Sequence, residues 1–322
     1  MIVTLTLNPG LDLTYTLTES AVGEVDVHRA TTATLEASGK GVNVSRALHT
    51  NGIDTVAVLP IGGPTGHHLA ELLDLDGVRH RTIAQSADTR VNTTMAVSGG
   101  HTAKVNGPGG RLTGDDLTGL TREVATALTD AVGDEVWLAV CGSLPPGLDP
   151  QAVGGFVALA HSHGARCAID ASGPALAAAL SAGADLLAPN RLELADIDPT
   201  AAGAHTVSEL ARAASDIARG AGTTLLVSLG EDGALFTDGE VVVHGCGPAL
   251  TPVNTAGAGD ALLSGWLAES GPLADRMARA IRWSRAACLS ATTVASPLPQ
   301  PDPSDGVTVD LLPIGRPERS PS

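Results

Sequence analysis

Apolar and polar positions change period several times along the chain, and the changes mark out its elements. Residues 2–7 form a β-branched run broken only by threonine, the pattern of a buried strand, and the run stops at the turn signal Asn8-Pro9-Gly10. Leu13, Tyr15 and Leu17 then alternate with threonines, and Val25, Val27 and a Thr/Ala-rich run to Leu35 continue the strand character with nothing helical between. A second β excursion covers 88–107, where Arg90, Asn92, Met95, Val97, Lys104 and Val105 are set among threonines and glycines. Between the two excursions, Val42, Ala47 and Leu48 open a helix that ends near Asn51-Gly52. From 108 onward the periods alternate: strands at 136–141, 165–169, 185–188 and 224–229, helices near 115–132, 151–163, 174–182 and 206–220. A last helix is predicted over roughly 272–292 and a brief strand over 307–312.

This rhythm predicts an α/β fold of three layers, α/β/α, with a mostly parallel central sheet and helices on both faces. The two β excursions predict a small sheet that covers the ligand edge of the main one, a lid. The core then comprises 1–10, 38–87 and 108–296, and the lid 11–37 and 88–107. A proline-rich C-terminal segment follows over 297–322, where Pro297, Pro299, Pro301 and Pro303 fall on alternate positions.

Composition narrows the partners. Thirty-five acidic against nineteen basic residues leave a formal charge of −16, which argues against nucleic acid and against an anionic membrane surface. An anionic substrate would have to be held by a few local cations and backbone amides. Aromatics make up only 2 % of the 322 residues, so the core must be built from Ala, Val and Leu. Cys141, Cys167, Cys246 and Cys288 show no CxxC or zinc spacing, and read as buried thiols. The N-terminus lacks a basic region and no apolar run reaches membrane-span length, so a cytoplasmic protein is expected.

The chemistry concentrates in 251–268, TPVNTAGAGDALLSGWLA. A turn of Gly257, Ala258 and Gly259 opens a helix, and such a turn presents unpaired amides backed by the positive end of the helix dipole. Asp260 at its lip would repel an anion that was merely held. It makes sense beside an anion only as a base that takes a proton, which is the geometry of phosphoryl transfer to a hydroxyl. The plainer reading is a flexible turn with an aspartate favouring the dipole. Asp12, just past the first strand, has the same two readings, ligand contact or turn residue. Ser38-Gly39-Lys40-Gly41 is a second glycine-rich helix start, with a lysine able to reach a phosphate, but it is not a P-loop because no Ser/Thr follows the lysine. Further strand ends carry Ser143, Asp170, Asn190 with Glu193, and Ser228, all at one edge of the predicted sheet.

In order, the motifs TLNPGLD, SGKGVNVSRAL, TRVN, KVNGPGG, CGSLPPG, APNRLEL, SLGEDGAL and NTAGAGDALLSG resemble the ribokinase-like PfkB sugar kinases, and within them the kinases of phosphorylated hexoses. The resemblance runs from Thr4 to about Thr293. It implies the ribokinase-like version of the fold, with ATP and Mg²⁺ as cofactors and a phosphorylated hexose as partner. Fructose 1-phosphate is the expected acceptor, with tagatose 6-phosphate or fructose 6-phosphate as alternatives. By the same resemblance Asp260 is the catalytic base, and Gly257, Ala258 and Gly259 form the anion hole. Asp12, Gly39 and Asn43 would contact sugar hydroxyls, while Lys40, Arg90, Asn92 and Ser143 would hold the substrate's own phosphate. Asn190, Ser228, Gly230, Glu231, Gly233 and Gly259 would bind ATP, and Glu193 would organise Mg²⁺ through water. Lids of this family imply a homodimer. Ala188 stands where the family commonly has lysine, and Ala256 where it has valine. A non-catalytic sugar-phosphate sensor on the same fold would keep Lys40 and Arg90 but could dispense with Asp260, and a ribose or nucleoside kinase would need no phosphate-binding pair.

Overall fold

The structure is a computed structural model of the chain and describes residues 1–17, 27–97, 102–133, 135–294 and 305–313. The first elements are β1 (Ile2–Leu5), β2 (Gly10–Leu17), β3 (Thr32–Ser38), α1 (Lys40–Thr50), β4 (Thr55–Ile61), α2 (Gly63–Leu75) and β5 (His80–Ala84). There follow β6 (Arg90–Val97), β7 (Thr102–Val105), α3 (Gly114–Thr129), β8 (Trp137–Cys141), α4 (Ala152–Ser162), β9 (Arg166–Asp170) and α5 (Pro174–Ser181). The chain continues with β10 (Leu186–Leu187), α6 (Arg191–Ile197), α7 (Pro199–Ala202), α8 (Val207–Ala221) and β11 (Thr224–Ser228). Last come β12 (Ala234–Thr237), β13 (Val242–Cys246), α9 (Ala258–Leu267), α10 (Leu273–Leu289) and β14 (Thr308–Leu312).

Among the described residues these strands make two sheets. The larger has ten strands in the order β14-β13-β12-β11-β10-β9-β8-β1-β4-β5. From β5 to β11 neighbours run parallel, and β12, β13 and β14 add antiparallel pairs at one edge. Buried on both faces, the central strands carry apolar residues at nearly every position, as parallel strands must. Alternate residues divide between two cores. Val3, Leu5, Leu138, Val140 and Ile169 pack with Leu120, Phe156, Leu176 and Leu210 on one side. Ile2, Trp137, Ala139 and Phe236 pack with Leu48, Leu263, Trp266 and Trp283 on the other. The expected three-layer α/β fold is present.

The smaller sheet has the order β3-β2-β6-β7. Its two hairpin pairs are antiparallel and are joined through a parallel β2–β6 pairing, so the two excursions form one surface. Of the first excursion, the second strand covers Thr32–Ser38. Residues 18–26, including Val25, are outside the described residues, and Val27 is exposed with no strand assigned.

The proline-rich segment over 297–322 is not wholly separate from the core. Within it β14 pairs antiparallel with β13 and becomes the edge of the main sheet. Without it, β13 would present an open row of backbone donors and acceptors, which edge strands generally have covered. Residues 297–304 and 314–322 lie outside the described residues.

Strand order turns at β1: the chain proceeds outward through β4 and β5 on one side and through β8 to β11 on the other. Such a switch point opens a crevice at the carboxyl ends of the strands. The small sheet stands over that crevice, and between the two sheets lies a cavity of about 1080 Å³.

Candidate active site

At one side of the cavity the chain turns into α9. The Asn254 side chain accepts from the Ala256 amide at 3.0 Å, and Gly257 then takes φ +79°, in the left-handed region. A Cβ at Gly257 would stand 2.2 Å from the Thr293 carbonyl oxygen, so glycine is required twice over, for its torsion and for the close approach. No side chain caps the helix, and a Cβ added at Gly259 would meet nothing within 4 Å. The Ala258 amide makes a long bond to the Thr255 carbonyl at 3.4 Å, and around Gly259 the turn opens onto free space inside the cavity, with the positive helix end behind it. This is a cradle of the shape and polarity that a phosphoryl group fits.

Asp260 lies in that first turn and is only 6 % exposed. Asn43 Nδ2 donates to its Oδ2 at 2.7 Å. Burial, and the nearby Asp170 carboxylate, push the Asp260 carboxyl up to about 7, against the opposing pull of the Asn43 hydrogen bond and the Lys40 charge, with Asp12 adding a smaller upward push. A carboxylate with its proton affinity near neutrality suits a general base at physiological pH.

The floor of the cavity is the start of α1. Gly39 precedes the helix with φ +123°, and a Cβ there would lie 2.7 Å from Thr6 Cγ2. A Cβ on Gly41 would lie 2.5 Å from Thr6 Oγ1 and 3.1 Å from the Leu5 carbonyl oxygen. Both glycines let the helix start press against the end of β1, which brings Lys40 and Asn43 to the carboxyl edge of the main sheet. Lys40 Nζ donates to Asp170 Oδ1 at 2.7 Å, and Asp170 is buried at the end of β9. That neighbour raises the Lys40 ammonium well above its ordinary range in spite of burial. Asn43 Oδ1 is buried without a partner among the described residues.

On the small sheet, alternate positions face the cavity. Asp12, Thr14 and Thr16 of β2 are in register with Asn92, Thr94 and Ala96 of β6, and Lys104 of β7 is opposite Thr94; all line the cavity. Asn92 Nδ2 donates to Asp12 Oδ1 at 2.8 Å, and Asn92 Oδ1 accepts from the Gly107 amide at 3.1 Å. Arg90 donates from Nη2 to the Asn8 carbonyl at 2.7 Å and from Nη1 to the Gly107 carbonyl at 3.1 Å, so it ties the end of β1 to the loop after β7. Its Nε is buried without a partner among the described residues. Ser143 is exposed and outside the cavity lining, where the Asn8 side chain donates to it at 3.4 Å.

Across the cavity from the small sheet, Asn190 and Glu193 begin α6. Asn190 Oδ1 accepts from the amides of Leu192 and Glu193, each at 2.9 Å, and Glu193 Oε2 accepts from the Asn190 amide at 2.8 Å. The pair is a reciprocal capping box, which accounts locally for its spacing. One Glu193 oxygen remains beyond that bond, and both side chains line the cavity beside Ser228 and Ala188. Among the described residues no three His, Cys, Asp or Glu side chains gather as a metal cage. A single spare carboxylate fits an ion such as Mg²⁺, which keeps most of its waters and takes other ligands from substrate phosphates. Gly230 and Gly233 shape the turn after β11 with positive φ, and a Cβ on Gly233 would stand 2.0 Å from the Gly245 carbonyl. With exposed Glu231, they stand outside the cavity lining.

One cavity thus brings together an uncapped glycine turn, a buried carboxylate in its first turn, and cations on two sides. Residues 6–301 match the model of the pfkB family carbohydrate kinases. The chain belongs to that family. Membership makes it a sugar kinase, a phosphotransferase, and implies use of ATP. It is 33 % identical over 298 residues to the ATP-dependent 6-phosphofructokinase isozyme 2 of Escherichia coli, covering 91 % of this chain and 94 % of that protein. It is 33 % identical to a 1-phosphofructokinase of Rhodobacter capsulatus, covering 97 % and 98 %. The crystal structure of phosphofructokinase-2 from Escherichia coli in complex with substrates and products superposes with a TM-score of 0.83 at 30 % identity, over 92 % of this chain and 95 % of that one.

Three residues in the cavity escape a reading by motif. Asp170 is legible only as a carboxylate at a strand end, and its pairing with Lys40 depends on β9 and α1 meeting across the sheet. Lys104 and Asn106 sit inside KVNGPGG, yet their place in the cavity follows from β7 pairing with β6. Among the described residues no helix is long and apolar enough to cross a membrane.

Proposed function

We propose that this kinase transfers the terminal phosphate of ATP to the 6-hydroxyl of fructose 1-phosphate, giving fructose 1,6-bisphosphate. The observation that carries the reading is Asp260: a buried carboxylate held by Asn43 in the first turn of α9, in the same cavity as the small-sheet cations Arg90 and Lys104. Asp260 takes the hydroxyl proton as the oxygen attacks. The amides of Gly257, Ala258 and Gly259 receive the charge that the moving phosphoryl group spreads over its oxygens. Asp12, Gly39 and Asn43 orient the sugar hydroxyls, and the unpartnered Asn43 Oδ1 is an acceptor suited to one of them. The acceptor's own phosphate lies toward the small sheet, at Arg90, Asn92 and Lys104, with Ser143 nearby.

Asn190, Ser228 and the turn carrying Gly230, Glu231 and Gly233 are proposed to receive ATP. Glu193 is proposed to hold Mg²⁺ through water; bound there, the ion would neutralise triphosphate charge. The setting is cytoplasmic, in keeping with four free cysteines. A homodimer through the small sheet is supported by Val91 and Val105, which stand exposed on the face turned away from the cavity.

Steady-state assays with fructose 1-phosphate, fructose 6-phosphate, tagatose 6-phosphate and ribose test this reading. The highest kcat/KM is expected with fructose 1-phosphate, and ribose is expected to react poorly. A preference for fructose 6-phosphate or tagatose 6-phosphate would move the substrate within the family, and failure with every phosphohexose would end the proposal.

A further inference from the structure

Among the described residues the cations lining the cavity are Lys40, Arg90 and Lys104, and their surroundings separate them. Arg90 and Lys104 stand on the small sheet, and the carboxylate that acts on Arg90 is Asp12. Lys40 opens α1 on the main-sheet side, where the carboxylates acting on it are Asp170, Asp260 and Glu193. One helical turn further on, Asn43 holds Asp260. Residues at i and i+3 share a helix face, so the lysine and the base's partner look the same way. Lys40 thus lies beside the base, on the side of the capping-box carboxylate, and not among the small-sheet groups.

Among the described residues no other positive side chain lines the cavity on the nucleotide side. Ala188 has no charge to offer, and Arg191 is paired with Asp232 at 3.0 Å. The first turn of α9 contributes only partial charges. Yet the cavity is lined by Asp12, Asp170, Glu193 and Asp260, which together repel a phosphoryl group in motion.

We propose that Lys40, held in place by Asp170, is the cation that accompanies the phosphoryl group during transfer, and not a ligand of the phosphate that the acceptor already carries. This rests on the kinase reading above, and it departs from the expectation that the motif alone suggests. In the step, the acceptor hydroxyl oxygen forms a bond to the terminal phosphorus of the nucleoside triphosphate. The bond from that phosphorus to its bridging oxygen breaks, the electron pair leaves with the nucleoside diphosphate, and the hydroxyl proton passes to Asp260. Negative charge moves from donor to acceptor past Lys40, whose full charge stabilises the dispersed state most. Asp170 is a positioning residue. By engaging Nζ at 2.7 Å it keeps the lysine from pairing with Asp260, which a direct ion pair would make a weaker base.

The test is the division between kcat and KM in Lys40→Met, with calorimetric binding of fructose 1-phosphate to the full chain. Loss of roughly 100-fold or more in kcat is expected, the scale of removing one transition-state donor. The acceptor KM and Kd should stay within about threefold, the signature of an interaction made only in the transition state. Lys40→Arg should recover part of the rate. Because Lys40→Met leaves Asp170 buried without its partner, the Lys40→Met/Asp170→Asn double variant is measured too, with the same loss and the same unchanged Kd expected. The pH at which kcat/KM rises should move up in Lys40→Met and down in Asp170→Asn, since the lysine favours ionised Asp260 and Asp170 opposes it.

A rise of about tenfold in acceptor KM and Kd with kcat intact would place Lys40 on the substrate's phosphate and overturn the proposal. Unchanged kcat in both the single and the double variant would also overturn it. If the wild-type protein used only an unphosphorylated sugar, the fructose 1-phosphate reading would fail by itself. The same split, measured with that sugar, would still decide the role of Lys40.

Discussion

The two walls of the cavity carry charge differently. On the main-sheet wall the carboxylates Asp170 and Asp260 are buried and each is held by a specific donor: the part-exposed Lys40 donates to Asp170, and the Asn43 amide to Asp260. On the small-sheet wall the charges are more open and serve backbone geometry, as Arg90 spans two carbonyls and Asn92 ties Asp12 to Gly107. Buried charge without a partner is costly, so the first wall is fixed by its own electrostatics. The second wall can shift with the strands that carry it. The proposed function puts proton transfer on the first wall and recognition of the sugar phosphate on the second.

The largest effect is expected of Asp260→Asn, which should lower kcat by roughly 10³-fold or more with little change in acceptor binding, the cost of losing a general base. Its stability should move the opposite way. The folded carboxyl sits at about 7, above its ordinary value of 3.8, so its favourable contribution exists at low pH and disappears as pH rises through 7. Melting curves should therefore show Asp260→Asn close to wild type below about pH 3.8, and more stable by a few degrees at pH 8. A uniform loss of stability would contradict the proton affinity assigned here. Gly257→Ala comes next, since its Cβ would meet the Thr293 carbonyl. A displaced anion hole should cost about 10²-fold in kcat, measured at saturating substrates.

Changes on the small-sheet wall should be milder and should fall on KM. Arg90→Ala should raise the acceptor KM about tenfold while kcat changes much less. An unchanged KM would leave Arg90 as a backbone tie alone. Glu193→Gln separates capping from ion binding. Glutamine can still accept from the Asn190 amide, so helix α6 should persist, and a melting temperature near that of wild type would show it. The Mg²⁺ concentration for half-maximal rate should nonetheless rise several-fold. The smallest effect is expected of Arg191→Ala, a surface ion pair worth about 0–1 kcal/mol, with kcat unchanged.

The same contrast explains what could be read from the sequence. Strand and helix alternation after 108 is visible because parallel strands buried on both faces read as apolar runs, and the observed strands Trp137–Cys141, Arg166–Asp170 and Thr224–Ser228 follow the prediction to within a residue or two. The stretch between α1 and the second β excursion is less legible. There Thr55–Ile61 forms a strand with Pro60 inside it, and Pro64 falls in the first turn of α2, so the usual punctuation misleads. The β12–β13 hairpin is also missed, because Phe236, Val242 and Val243 stand close to turn residues in short runs.

For the site, glycine turns ahead of Lys40 and Asp260 are visible as local signals. For Asn190 and Glu193 the capping box alone explains the spacing, and only the structure shows that both side chains also line the cavity. Asp170 and Lys104 were not assignable, since their neighbours are 130 residues away in the first case and set by strand register in the second.

Phosphorus NMR of a reaction containing the wild-type protein, fructose 1-phosphate, ATP and Mg²⁺ follows both the transferred phosphate and the role of Asp260. A new phosphomonoester at the 6-position is expected, with the 1-phosphate resonance retained, ADP formed in equal amount, and none of these changes with Asp260→Asn. ATP converted to ADP and free phosphate without a bisphosphate, or equal product from the Asp260→Asn protein, would contradict the proposed function.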